Sequence, residues 1–225
     1  ATVEGVTAER IASANRASVN HVLEEGRVPL LVDPEGSSIP LLKPDIVVDA
    51  IIAKKNLGTA KEMAPLVIGV GPGFTAGEDV DLVVESMRGH NLARILETGS
   101  ALANTGIPGN IGGYTKERVI HAAAEGYMKN IHQIGDVVQK GEEIARIYEQ
   151  MSTDGIFSGK FVSVEATIPG VLRGLIREGY HFQKGFKIAD IDPRESELAN
   201  CFTISDKASS IGGSVLEAVC RYVNG

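Results

Sequence analysis

The chain has no tryptophan, only two cysteines and 5% aromatic residues, and nowhere does it run to eighteen consecutive apolar residues. That last absence excludes a membrane-spanning helix, which needs about twenty apolar positions in a row. No leader with a charged start and an apolar centre opens the sequence, so a cytoplasmic protein is expected. Cys201 and Cys220 lack the spacing of a redox or metal-ligand pair, which sets aside a disulfide framework and fits a reducing compartment. No two of His21, His90, His121, His132 and His181 have metal-ligand spacing, and no glycine-flanked serine elbow appears, so neither a zinc site nor a serine hydrolase is expected. Cationic clusters are missing too. A net charge of −7, a pI near 5.3 and the lack of any Lys/Arg run argue against nucleic acid or an acidic membrane surface as a partner.

What is abundant is glycine, 26 of 225 residues against a usual share of about 7%. Its placement is ordered. Gly126, Gly135, Lys140, Gly141, Ile144 and Ile147 reappear 44 positions later as Gly170, Gly179, Lys184, Gly185, Ile188 and Ile191. Short apolar runs broken by glycine turns suit small hairpin strands, and two such copies can bury an apolar face that one alone cannot. The spacing resembles the half-motif of biotinyl and lipoyl carrier domains, which implies a barrel-sandwich-hybrid β domain over residues 119–192. Such carriers hold their prosthetic group on a lysine in the connector between halves, within Met-Lys-Met or Asp-Lys-Ala. The connector from Tyr148 to Lys160 contains neither. Lys160 therefore reads as a solvated loop lysine, no covalent biotin or lipoate is expected, and the unit reads as structural or docking.

Residues 1–118 carry a different rhythm, and a chain of this length accommodates more than one domain. Val19, Val22 and Leu23 share a helical face ending at Gly26. Val28 to Val32, Ile46 to Ile52 and Pro65 to Val70 read as short buried strands, and Val80, Val83 and Val84 as a helical stretch. This is the cadence of a Rossmann-like parallel α/β portion. Residues 88–118 are polar and glycine-rich and read as ordered loops. Residues 193–225 close with a strand-like segment and a helix that starts after Gly213, from the capping-box spacing of Ser214 and Glu217, and packs back on the α/β portion.

In open parallel sheets, ligands gather at the carboxyl ends of strands. The loop after Ile52 offers Lys54, Asn56 and Thr59, a cradle for phosphate or carboxylate, or simply solvated lysines at a turn. The next loop, with Gly71, Gly73, Phe74, Thr75 and Gly77, formally matches G-x-G-x-x-A. Glu78, Asp79 and Asp81 crowd the place where a pyrophosphate sits, which leaves a strained turn or a backbone contact with a ligand. Arg88 and His90, Asn104 and Thr105, Gly113 and Tyr114, and Asp206 and Lys207 complete the candidate ligand set. His90 lies outside any apolar pattern and is either functional or a loop brace. Cys201 is either a small buried hydrophobe or a reactive thiol. These two are the candidate catalytic groups.

Taken together, the segments Asp45 to Lys54, Ala64 to Gly77, Arg88 to Leu92, Asn104 to Gly109, Ile111 to Thr115 and Cys201 to Ala208 resemble the YqeB-like accessory proteins of the selenium-dependent molybdenum hydroxylase system. Members of that family begin with a glycine-rich Rossmann loop that this chain lacks, which implies an amino-terminal truncation. The resemblance implies maturation of molybdenum hydroxylases with a labile selenium, with a hydroxylase client as partner and a molybdopterin dinucleotide or other nucleotide as ligand. It assigns no catalytic residue. The rival expectations are a selenium-handling enzyme using Cys201 and a non-catalytic scaffold docking the client; a homo-oligomer is compatible with each.

Overall fold

The computed structural model describes residues 1–106 and 108–225. Ile107, inside the Asn104 to Gly109 motif, lies outside the described residues. The chain divides into two compact units, Ala1–Thr105 with Ile204–Gly225, and Gly106–Thr203.

In the first unit, β1 (Thr2–Val3), β2 (Val6–Arg10) and β3 (Val28–Leu30) form a sheet in which β2 and β3 run parallel. Helix α1 (Arg16–Glu24) makes that crossover. Asn15 caps it by accepting the Ser18 amide at 2.8 Å, and Gly26, at φ +72°, turns the chain after it. The short helix α2 (Ser38–Leu42) leads into β4 (Ile46–Asp49). Strand β5 (Leu66–Val70) follows, then β6 (Thr75–Ala76) and β7 (Leu82–Val84), and finally β8 (Ile95–Leu96) and β9 (Gly99–Ser100). The main sheet has the order β4-β5-β7-β8, with the first three parallel and β8 antiparallel, and β6 pairs with β9 apart from it.

Every residue of β5 is buried, because both faces of the sheet are covered. Val67 packs with Phe74, Ala76, Val80, Val83 and Ala101 on one side. Leu66, Ile68, Val70 and Val84 pack with Ala218, Ile211, Val215 and Val219 of helix α3 (Asp206–Asn224) on the other. A strand covered on both faces reads as an unbroken apolar run, which is what Leu66 to Val70 shows.

The expected class gives way to mixed sheets with few helices. A Rossmann-like portion needs a helix at each parallel crossover, yet β4 reaches β5 through a three-residue 3-10 turn, Lys61–Met63, and no helix lies between β5 and β7 among the described residues. Val80, Val83 and Val84, read as helical, belong to the approach and body of β7. A short run buried on all sides has the same apolar content whether strand or helix, so periodicity could not decide. The barrel-sandwich-hybrid assignment falls with it, because turn glycines set local hairpins and leave the order of strands in a sheet unspecified. Helix α3 also starts earlier than expected. Ser205 caps it, accepting the Ala208 amide at 3.2 Å, and packing of Ile211 and Val215 carries the helix through Gly212 and Gly213.

The second unit is antiparallel throughout. Its strands are β10 (Val119–His121), β11 (Gly126–Asn130), β12 (Val137–Val138), β13 (Glu143–Met151), β14 (Phe157–Glu165), β15 (Gly170–Leu175), β16 (His181–Phe182) and β17 (Lys187–Asp192). They form two four-stranded sheets, β10-β17-β15-β12 and β14-β13-β11-β16. The copies trade strands: β12 of the first pairs with β15 of the second, and β16 of the second with β11 of the first. Positions 44 apart match in detail. The Gly135 amide donates to the Leu172 carbonyl and the Gly179 amide to the Met128 carbonyl, at 2.9 and 2.7 Å. Met128 and Leu172, Ile144 and Ile188, and Ile147 and Ile191 are all buried in one cluster, each contributing about 1.5–3 kcal/mol of apolar burial. Gly126 and Gly170 have φ of +155° and +147°, and a side-chain carbon at either would strike the carbonyl of Tyr148 or of Asp192.

Candidate functional site

Loops from three parallel strands meet at the carboxyl edge of the main sheet in the first unit. Asp49, the last residue of β4, is 8% exposed. Its Oδ1 accepts the Ile51 amide at 3.1 Å and its Oδ2 the Thr59 hydroxyl at 2.6 Å. Asn56 ties the far end of that loop: its Oδ1 accepts the amides of Gly58 and Thr59, and its Nδ2 donates to the Thr59 carbonyl, each at 2.8 Å. Between these anchors Ile52 and Lys54 sit at φ +57° and +65°. Left-handed backbone costs a non-glycine residue about 1–2 kcal/mol, and it is least expected of a β-branched one.

The loop after β5 presses against both neighbours. A side-chain carbon on Gly71 would lie 2.6 Å from the Ser86 hydroxyl, and one on Gly73 would lie 2.6 Å from the Lys55 Cα. Both glycines also have positive φ, so close approach and backbone conformation each demand glycine there. After β7, Glu85 is 3% exposed and accepts the Met87 amide at 2.7 Å and the Leu102 amide at 2.8 Å. Two buried carboxylates thus hold the loops by their own backbone, leaving Lys54 and Lys55 exposed. Among the described residues, the amides of Lys54, Lys55 and Gly73 donate to no partner and neither lysine forms an ion pair. Free amides beside ammonium groups on a braced loop can hold a phosphate or carboxylate.

Of the residues singled out from sequence, Lys54, Asn56, Gly71 and Gly73 come together here, Asn56 as a brace for the loop. Phe74 does not face a ligand; it is a core residue at 4% exposure. Thr75 pairs its hydroxyl with Ser100 at 3.0 Å and its amide with Asp79, so Asp79 steadies the turn that Gly77 continues. Arg88 makes a two-pronged bond to Asp206 at 2.7 and 2.8 Å, tying the loop after β7 to the start of α3, where Lys207 follows. His90, Asn104 and Thr105 are exposed loop residues. Gly113 and Tyr114 belong to the second unit, where the Gly113 amide donates to Asn110 and Tyr114 packs against the core. Asp49, Glu85 and Ser86 were not singled out from sequence, although an acidic residue ending an apolar run was a visible signal for the first two.

In the second unit two arginines surround Asp192, whose side chain is fully buried. Arg194 donates to it from Nε, Nη2 and the backbone, and Arg173 from Nη1 at 3.0 Å. These bonds, led by that of Arg194, hold its carboxyl down to about 2. Cys201 lies in the 3-10 turn Glu195–Phe202. Burial pushes its thiol up, so the thiolate that a reactive cysteine needs is disfavoured. Among the described residues, no group of three or more His, Cys, Asp or Glu side chains could hold a metal ion, and no helix is long and apolar enough to cross a membrane.

No family model matches the chain. The protein YqeB of Escherichia coli (strain K12) is 47% identical to it over 223 residues, 99% of this chain. Nearly the whole chain is therefore similar to a part of YqeB. It spans 38% of the length of that relative. Among solved structures, the product-bound ectoine utilization protein EutE (DoeB) from Ruegeria pomeroyi is 17% identical at a TM-score of 0.27, over 44% of this chain and 28% of that one. An aspartoacylase family protein from Mesorhizobium loti MAFF303099 is 14% identical at a TM-score of 0.28, over 47% of this chain and 32% of the other.

Proposed function

We propose that this YqeB-like chain serves as an accessory or maturation factor for selenium-dependent molybdenum hydroxylases, and that the carboxyl edge of its parallel strands binds the phosphates of a molybdopterin dinucleotide. The observation that carries the reading is the strained loop of Lys54 and Lys55, locked by Asp49 and pressed against Gly73. The donor set suits the ligand: the amides of Lys54, Lys55 and Gly73 are unclaimed hydrogen-bond donors for phosphoryl oxygens, and the two ammonium groups would offset the phosphate charge. Asp49 and Glu85 turn their oxygens to loop amides and the Thr59 hydroxyl, and the charge they retain is set against the two ammonium groups. The client hydroxylase is the expected protein partner.

Calorimetric titration of the 225-residue chain with molybdopterin dinucleotide, and with inorganic pyrophosphate, tests the site. Charge-assisted bonds contribute about 1.5–3 kcal/mol each, so Lys54→Gln with Lys55→Gln is expected to weaken binding at least about tenfold. No heat at millimolar concentrations of either ligand defeats the proposal.

A further inference from the structure

A cavity of about 920 Å³ opens in the first unit beside the amino ends of β4 and β5, at the opposite end of those strands from the lysine loop. Its walls come from residues 35–40, from residues 43–45 just before β4, and from residues 62–65 just before β5. The volume falls within the range of about 300–1,000 Å³ usual for small-molecule sites. Ile39, Pro40, Pro44, Met63, Ala64 and Pro65 give it an apolar lining, and Met63 and Ala64 are anchored by packing against the core cluster of Val67.

These walls are braced from outside the cavity. Asp33 accepts the amides of Ser37 and Ser38 at 3.0 and 2.7 Å, which pins the start of α2. At the other end of α2, Arg16 donates from Nη2 to the Leu42 carbonyl at 2.7 Å. The Leu66 amide donates to the Asp45 carbonyl at 3.2 Å, joining the two walls that precede the strands. The three prolines of the lining have φ fixed by their rings, so little backbone freedom is left to lose when a ligand enters.

The charge in the cavity is one-sided. Glu35, Asp45 and Glu62 line it against a single cation, Lys43, and among the described residues none of these four side chains makes a hydrogen bond or an ion pair. Elsewhere in the same unit, Asp33, Asp49, Asp81 and Glu85 all give oxygens to backbone amides. Three unclaimed carboxylates over an apolar lining match a positive charge attached to an apolar body. A bare metal ion does not fit, since among the described residues no group of three or more His, Cys, Asp or Glu side chains could hold one.

We infer that this cavity binds a small organic cation, an ammonium group carried on an apolar body. The body lies against Ile39, Met63 and the prolines, and the ammonium faces Glu35, Asp45 and Glu62. Apolar contact supplies the affinity and the carboxylates supply the choice of charge. The site stands independently of the lysine loop, which sits at the other end of the strands and takes the opposite charge.

The test is a titration followed by amide chemical shifts in NMR, with tryptamine, indolepropionate and methylammonium as probes. The first two carry the same ring with opposite charge, and the third measures charge without an apolar body. Saturable binding of tryptamine is expected, with shifts centred on Ile39, Met63 and Ala64. Indolepropionate is expected to bind at least about tenfold more weakly, having exchanged attraction for repulsion, and methylammonium at least about tenfold more weakly for want of apolar contact. Glu35→Gln combined with Glu62→Gln, both exposed and unpaired, is expected to weaken tryptamine about fivefold with unchanged melting. Absence of saturable tryptamine binding at millimolar concentration, equal binding of indolepropionate, or indifference to the double substitution overturns the inference. Lys54→Gln leaves this binding unchanged, so failure here and failure of the lysine-loop site are read separately.

Discussion

The two units solve the problem of holding irregular backbone in different ways. In the second, glycines do it: Gly126 and Gly170 occupy matched positions where any side chain strikes a carbonyl, and the matched amides of Gly135 and Gly179 close reciprocal bonds. In the first, Gly71 and Gly73 share the task with two buried carboxylates: Asp49 and Glu85 each accept amides from the loop that follows their own strand, a device that the second unit repeats once at buried Asp192. Glycine fixes a turn by permitting it and leaves nothing for chemistry. A carboxylate fixes a loop from beneath and leaves its outward groups available, which is why the lysine loop reads as a ligand site and the twin turns as scaffold.

The largest expected effect falls on the scaffold. Gly170→Ala meets the Asp192 carbonyl at φ +147° and is expected to cost about 3 kcal/mol by denaturant unfolding. Gly141→Ala, with positive φ but open space around it, is expected to cost only about 1 kcal/mol. Equal costs at the two sites break the comparison. Next comes Asp192→Asn, expected to lose about 2 kcal/mol at neutral pH. The sign follows from the lowered carboxyl: it titrates at about 2 when folded against 3.8 as its ordinary value, so its contribution is present above pH 4 and disappears as pH falls toward 2. Melting measured across that window should show the wild type and the variant converging in acid.

Asp49→Ala is expected to cost about 1.5 kcal/mol through two lost hydrogen bonds, and to weaken phosphate binding about tenfold by releasing the loop. Calorimetry and unfolding on the same preparation separate the two effects; unchanged affinity in the variant removes Asp49 as a brace for the site. The smallest effect is a gain. Gly212→Ala and Gly213→Ala lie in the middle of α3 with no atom within 4 Å of the new carbon, and each is expected to raise stability by about 0.5–1 kcal/mol.

Those helix glycines also mark where sequence reading stopped. The Gly212-Gly213 pair and the Ser214 to Glu217 spacing are genuine helix-start signals, but Ser205 supplies a competing cap, and burial of Ile211 and Ala218 against β5 and β7 outweighs the local preference. The spacing of 44 residues was fully legible, because turn glycines leave a direct sequence mark. The order of strands was not, since β12 and β16 change sheets through pairings that no local pattern encodes. In the proposed site, Lys54, Gly71 and Gly73 were open to notice because strand-end loops announce themselves. Phe74 was read as a ligand contact, whereas its ring turns inward beneath Gly69, where a side-chain carbon would come within 2.6 Å of it. Asp49 and Glu85 escaped notice because a carboxylate that braces its own loop looks, in sequence, like any polar residue closing a strand.

The most direct measurement is the affinity of inorganic pyrophosphate for the 225-residue chain and for its Lys54→Gln, Lys55→Gln double variant, by calorimetry at low salt. The account predicts saturable binding to the first, a loss of at least about tenfold in the second, and identical unfolding curves for both. Binding that survives the double substitution unchanged, or none to the wild type at millimolar concentration, contradicts it.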